Sequence, residues 1–170
     1  SKPVEGLGGK LVYHGGKLIS HIVMENLEQG TSIFVRDLFY NTPVRFKFVK
    51  SKISEKNAIL KIINSFIISN PSIYFSVKWD EKDKTIFQPT SWPERVLKVL
   101  PKGEYREIKG VYDGYEVKGF LSLESSKGNQ KNHQYLFANN RLFIDKSLHS
   151  AITTAMMGIW GLSESGSYCV

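Results

Sequence analysis

Gly30-Thr31-Ser32-Ile33-Phe34-Val35-Arg36-Asp37-Leu38-Phe39-Tyr40-Asn41-Thr42-Pro43-Val44-Arg45-Phe46-Lys47-Phe48 sets the terms for the whole chain. Its first part reads as a strand, with Ile33 and Val35 on one face and Phe34 on the other. Its end reads as a helix start. Thr42 is a suitable N-cap, and Pro43 occupies the first helical position, where a missing N–H costs nothing. Arg45, Lys47 and Lys50 then interleave with Phe46, Phe48 and Val49. A strand that delivers a capped, cationic helix start suits a phosphate group, because the first turn of a helix has free N–H groups. The alternative is a buried strand–turn–helix whose charges are simply solvated.

The composition around this run narrows the classes. The chain has 170 residues, enough for one domain or two small ones. Hydrophobic residues at 41% can build a core, and charged residues at 23% do not indicate disorder. The formal net charge of +7 suits a polyanionic partner and says nothing about fold. One cysteine, Cys169, excludes an internal disulfide and a cysteine-rich metal site. No apolar run reaches the roughly 18 residues of a membrane span. The first residues, Ser1-Lys2-Pro3-Val4-Glu5-Gly6, have no apolar segment of the signal-peptide kind.

On the N-terminal side, Lys10–Tyr13 and Lys17–Val23 read as strands joined by His14-Gly15-Gly16, a hairpin signal. Gly6, Gly8 and Gly9 read as a flexible lead-in, and no lysine–serine pair follows to make them a phosphate loop. On the C-terminal side, Ser54 opens a helix whose apolar face is Ile59, Ile62, Ile63, Phe66 and Ile67, stopped by Asn70-Pro71. Ile73 to Trp79 alternates as a half-buried strand, and Thr85-Ile86-Phe87 returns beside it. Ser91 and Glu94 form a capping-box pattern before a short helix carrying Val96, Leu97 and Leu100. Asp113-Gly114 joins two strands, about Arg106 to Tyr112 and Tyr115 to Leu123. A polar loop over 125–132 precedes a strand from His133 to Ala138, and Asn139-Asn140 makes a tight turn before Arg141. Asp145 caps a last helix with Leu148, Ala151, Ile152, Ala155, Met156 and Ile159 on its apolar face, ended by Gly158 and Gly161. Tyr168-Cys169-Val170 begins another strand. Hairpins mixed with helices favour an α+β fold.

No hydrolase triad, paired carboxylates or metal-ligand spacing stands out, so no metal site is expected. What remains is cationic. Arg45, Lys47, Lys50, Lys52 and Lys56 form one cluster, and Lys127, Lys131, Arg141 and Lys146 another. Such groups neutralise phosphates and give salt-sensitive, sequence-tolerant DNA binding, or are merely solvated.

The run Gly30–Phe48 also resembles a signature of the MutL family of DNA mismatch-repair proteins, which belong to the GHKL ATPases with gyrase-type topoisomerases and Hsp90-type chaperones. Gln134-Tyr135-Leu136-Phe137-Ala138-Asn139-Asn140-Arg141-Leu142-Phe143-Ile144-Asp145 resembles the family's Tyr-x-Phe-Val-Asn-Gly-Arg-x-Val-x-Asp stretch, with Ala138 and Phe143 for Val and Asn140 for Gly. The resemblance implies a partial GHKL-type α/β sandwich over residues 1–89, its C-terminal part. It implies a transducer domain of the ribosomal-protein-like β-α-β fold over 90–170, truncated at its C-terminus. It implies nucleotide contact at Gly30 and Thr31, and DNA contact at Arg141, Arg45 and Lys47. It also implies ATP and Mg2+ as cofactors of the full-length protein and none for this piece. The implied partners are mismatched DNA bound without sequence preference, a mismatch-recognition protein, and a homo- or heterodimeric copy in the full-length protein. A cytoplasmic or nuclear, DNA-associated, non-secreted location follows, with no membrane partner.

The departures from the family pattern are in the catalytic parts. The Glu-x-x-x-Asn helix, the Asp-x-Gly-x-Gly adenine motif and the Gly-Phe-Arg-Gly-Glu-Ala-Leu lid are absent, and Glu25-Asn26 has the wrong spacing. The family's phosphate-sensing lysine, in a His-Pro-x-Lys loop, is absent too. The expectation is an internal fragment that couples and contacts DNA and does not hydrolyse ATP alone. The competing readings are a stand-alone, non-enzymatic nucleic-acid-binding module and an enzyme with an unrecognised site.

Overall fold

The computed structural model describes residues 1–49, 51–82, 84–125, 133–162 and 164–170. Packing divides the chain into two compact units, Ser1–Ser51 and Lys52–Val170.

In the first unit, β1 (Gly8–His14) and β2 (Lys17–Met24) form an antiparallel hairpin. Gly15 and Gly16 both take positive φ, 56° and 85°, as a two-residue turn of matching twist requires. The register slips by one residue between Val12 and Tyr13, a bulge on the β2 side. Gly8 and Gly9 lie inside β1, opposite Met24 and Val23, rather than in a loose lead-in. Residues 31–37 form no strand, which corrects the sequence reading. Extended chain becomes a strand only when a neighbouring backbone takes its ladder bonds, and within this unit the adjoining bridge stops at Gly30, which exchanges bonds with Lys2 at 2.8 and 2.9 Å. Ile33, Phe34 and Val35 are therefore all exposed, Phe34 at 85%. The helix start is present but brief: α1 covers Pro43–Phe46, with Thr42 at the cap position and no side-chain capping bond.

The second unit is a three-layer arrangement. α2 (Lys52–Ser69) packs on α3 (Trp92–Val99), with a small hairpin of β3 (Phe75–Val77) and β4 (Thr85–Phe87) between them in sequence. The main sheet has β5 (Tyr105–Tyr112), β6 (Tyr115–Ser122), β7 (Gln134–Ala138), β8 (Arg141–Phe143) and β9 (Tyr168–Cys169), in the order β5-β6-β9-β7-β8. α4 (Lys146–Ala155) and α5 (Met157–Trp160) complete it.

Alternation along the strands builds a core on each face of this sheet. Phe120, Tyr135 and Cys169 point to one side with Ile68, Val96 and Leu100; Leu121, Leu136 and Tyr168 point to the other with Met156 and Trp160. The short β9 is the centre of the sheet, antiparallel to β6 and parallel to β7. Gly119 is required where β6 meets β9, because a Cβ there would run into the Cys169 carbonyl.

Two apolar faces read from sequence need correction. On α2 the buried residues are Ser65, Ile67 and Ile68, while Ile59, Ile62 and Phe66 are exposed. Apolar residues spread over more than half of the circumference of the helix's second half, with Lys61, Asn64 and Ser65 among them, so its pattern could not select the packed side. In the last helix Ile152 and Met156 reach the core, but Leu148 and Ile159 are exposed and Trp160 is the main anchor. Gly158 lies within α5 and only Gly161, at φ 93°, ends it.

Candidate functional site

The two cations of the first unit that the resemblance assigns to DNA contact, Arg45 and Lys47, sit on and just after its short helix. Arg45 is in the last turn of α1, Lys47 is the C-cap residue, and both are exposed with no ion pair among the described residues. Four residues give too little aligned backbone for a strong N-terminal dipole, so α1 adds little to the charge of its side chains. Lys50 lies outside the described residues.

Gly30 holds φ 117°, a value that favours glycine, and its N–H and C=O are both engaged by Lys2. The Thr31 hydroxyl donates to the Ser1 hydroxyl at 3.1 Å. As a test of fit for ATP and Mg2+, these two residues offer one already bonded hydroxyl and no free backbone donor at Gly30. Among the described residues no group of three or more His, Cys, Asp or Glu side chains could hold a metal ion. The residues present do not make a nucleotide site by themselves.

Sequence reading missed a cleft of about 460 Å³ in the same unit, lined by the hairpin tip, by Phe34 to Leu38 and by Tyr40 and Asn41. The His14 and Tyr40 rings meet at 4.9 Å across it, and Arg36 supplies its cation. Asp37 turns the chain there with φ 47°, and its carbonyl accepts the Tyr40 N–H at 2.8 Å. The only sequence signal was the aromatic residue beside each turn.

Arg141 is placed by a firmer device. β7 and β8 are joined by Asn139 and Asn140 at φ 48° and 65°, with Ala138 paired to Arg141. Both asparagines accept the left-handed geometry that a tight two-residue turn demands. Arg141 thus opens β8 beside a rigid corner of the sheet, exposed and with no ion pair among the described residues. Lys146 is also exposed, at the start of α4; Lys127 and Lys131 lie outside the described residues.

No protein-family model matches the chain. Individual relatives do. MutL, a DNA mismatch repair protein, from Pelodictyon phaeoclathratiforme is 33% identical over 153 residues, 88% of this chain and 24% of that protein. MutL from Rhizobium etli is 32% identical over 154 residues, covering 87% and 25%. Among solved structures, the Aquifex aeolicus MutL ATPase domain complexed with ADP superposes at a TM-score of 0.71, with 26% identity, over 87% of this chain and 57% of that one.

The chain belongs to the MutL family.

Its mixed helix-and-sheet fold is that of the MutL ATPase domain, a GHKL fold. It spans about a quarter of the length of the curated MutL proteins it matches. No described helix is long and apolar enough to cross a membrane.

Among the described residues one cation is deeply buried, and it is in the second unit, on α3. Arg95 is 0% exposed and one guanidinium nitrogen donates to the carbonyls of Pro71, Ile73 and Gln88, at 2.6, 3.1 and 2.7 Å. The Phe75 and Phe87 rings flank it, each 5.8 Å from the guanidinium carbon. It clasps the ends of the β3–β4 segment to α3. Its acceptors are backbone atoms, which leave no trace in side-chain composition.

Proposed function

We propose that this MutL-family chain contacts DNA and couples nucleotide binding to conformational change within a longer mismatch-repair ATPase. Residues 1–89 would be the C-terminal part of the GHKL ATP-binding domain and 90–170 the transducer domain. The packing break after Ser51 is a separate matter, since α2 and α3 pack together across residue 89. The observation that carries the reading is Arg141: an exposed guanidinium, with no ion pair among the described residues, on a backbone corner fixed by two left-handed asparagines. A phosphodiester is the natural counter-ion for such a group, because guanidinium N–H donors match phosphate oxygens in pairs. Arg45 and Lys47 add exposed charge of the same sign from the other unit. In the assembled protein Gly30 and Thr31 would lie by the adenine pocket, ATP and Mg2+ would be the cofactors, and a mismatch-recognition protein and a second MutL-type chain would be the partners.

Titration of duplex DNA at several salt concentrations tests this. The wild-type chain should bind with a steep salt slope. Arg141→Glu should weaken binding and lower the slope by about one unit per lost phosphate contact. An unchanged slope and affinity would remove Arg141 from the interface. The 170 residues should also show no ATP turnover on their own; measurable hydrolysis would refute the non-catalytic role.

A further inference from the structure

Exposed rings and a cation meet at the tip of the β1–β2 hairpin. Tyr13, His14, Phe34 and Tyr40 all line the cleft there, and all four are exposed. Phe39 lies outside the lining, its ring 6.1 Å from that of Phe46 on α1. The walls are held by backbone bonds. β1 and β2 pair up to His14 and Lys17, and the ladder slips between Val12 and Tyr13, where the rings begin. Such a slip raises the local twist and re-aims side chains. On the facing side the Tyr40 N–H donates to the Asp37 carbonyl and the Thr42 N–H to the Phe39 carbonyl, at 2.8 and 3.0 Å. The His14 and Tyr40 rings join the two sides at 4.9 Å, tilted by 35°.

Arg36 lies among these rings, exposed and with no ion pair among the described residues. Asp37 is the one carboxylate that lines the cleft, and Asn41 adds an amide. Residues 1–51 carry seven Lys and Arg against four Asp and Glu, so the field of this unit draws anions. A ligand that answers both features must offer flat faces to the rings and negative charge to Arg36. A nucleotide does so. Its base stacks on aromatic side chains whatever the sequence, and its phosphate accepts from a guanidinium. Bases inside a duplex are already stacked and cannot present those faces, whereas an unpaired strand can.

We propose that this cleft binds an unpaired nucleotide of single-stranded DNA, with the base against Tyr40 and His14 and the adjoining phosphate on Arg36. The Asp37 carboxylate and the Asn41 amide can meet donors and acceptors on the base edge. The volume, about 460 Å³, falls within the roughly 300–1,000 Å³ of small-ligand pockets. Gly30 and Thr31 do not line the cleft, which separates it from the proposed adenine contact, and Arg141 belongs to the other unit. The inference rests on the reading that DNA is the partner, and adds the unpaired strand as the form that residues 1–51 recognise.

The test uses the 170-residue chain and a short fluorescent oligothymidylate carrying one iodouracil base, which crosslinks on irradiation to a ring stacked against it. Mass spectrometry should place the adduct on Tyr40, His14, Tyr13 or Phe34. Tyr40→Ala should weaken strand binding about tenfold, the loss of one stacked base, and remove most of the adduct. Tyr40→Phe should bind as the wild type does. Arg36→Gln should lower the salt slope by about 0.7, the value of one single-strand phosphate. Phe34→Ala is the second variant: its side chain is 85% exposed, so weaker binding there is not a loss of folding. Arg141→Glu should leave the adduct in place, which separates the two contacts. Strand binding with adducts only around Arg141, and no response to Tyr40→Ala, would overturn the cleft and leave the DNA reading standing. Failure to bind either strand or duplex would overturn both. Displacement of the strand by thymidine monophosphate at equal nucleotide concentration would assign the cleft to a free nucleotide and overturn the strand.

Discussion

Residues 1–51 and 52–170 are organised by different forces. In the second unit a sheet carries apolar side chains on both faces, and each face has its own core. In the first unit Gly8 is the one described residue that is fully buried, and Ile33, Phe34, Val35, Phe46 and Phe48 are all exposed. Its hairpin is held by ladder bonds, and a two-stranded ribbon is marginal in water without a packed face. Local turn chemistry is therefore enough to shape a segment, but burial is what makes it stable. The same contrast separates the cations: Arg95 is locked inside its unit, while Arg45, Lys47 and Arg141 are exposed.

The sharpest way to break this contrast is to truncate an aromatic in each unit. Trp160 is 2% exposed and its indole N–H donates to the Ser122 carbonyl at 2.8 Å. Trp160→Ala should lower the urea unfolding free energy by about 4 kcal/mol through lost packing and a cavity. Phe34→Ala should change it by less than about 0.5 kcal/mol, as for other surface positions. Equal effects would mean that the first unit has a core of its own.

Arg95→Met comes next. It removes the donor shared by three carbonyls, and the guanidinium between two phenyl rings. The expected loss is about 3 kcal/mol, read from the same denaturation curve. A neutral outcome would show that methionine packing replaces the clasp.

A smaller effect compares the two helix starts. The Asp145 carboxylate accepts the Leu148 N–H, whereas Thr42 makes no side-chain capping bond. Asp145→Ala should cost about 1 kcal/mol and Thr42→Ala close to nothing.

The mildest is a pH effect confined to the second unit. His133 and His149 bind protons less readily folded than unfolded. Their contribution to stability is therefore complete above the unfolded imidazole pKa of about 6.5 and is lost as pH falls below it. The urea midpoint should drop between pH 7.5 and 5.5. Lys61→Gln, which removes one cause of both shifts, should shrink that drop.

These differences also explain what the amino-acid sequence alone could tell. The three two-residue turns, at Gly15-Gly16, Asp113-Gly114 and Asn139-Asn140, were legible because positive φ is written into the residues themselves. The capping of α3 by Ser91 and of α4 by Asp145 was legible for the same local reason. The central place of β9 was not, because its pairing with β6 and β7 joins distant parts of the chain. Nor was the exposed state of Ile33 to Val35: alternation names a strand's faces without supplying its neighbour. Of the candidate site, the corner that carries Arg141 was legible in full.

The most direct measurement is amide hydrogen exchange of the 170-residue chain with and without duplex DNA at low salt. Added DNA should slow exchange around Ala138–Arg141, with weaker protection near Arg45 and Lys47. Binding that leaves the Asn139-Asn140 corner unprotected would contradict the assignment of that corner to the DNA surface.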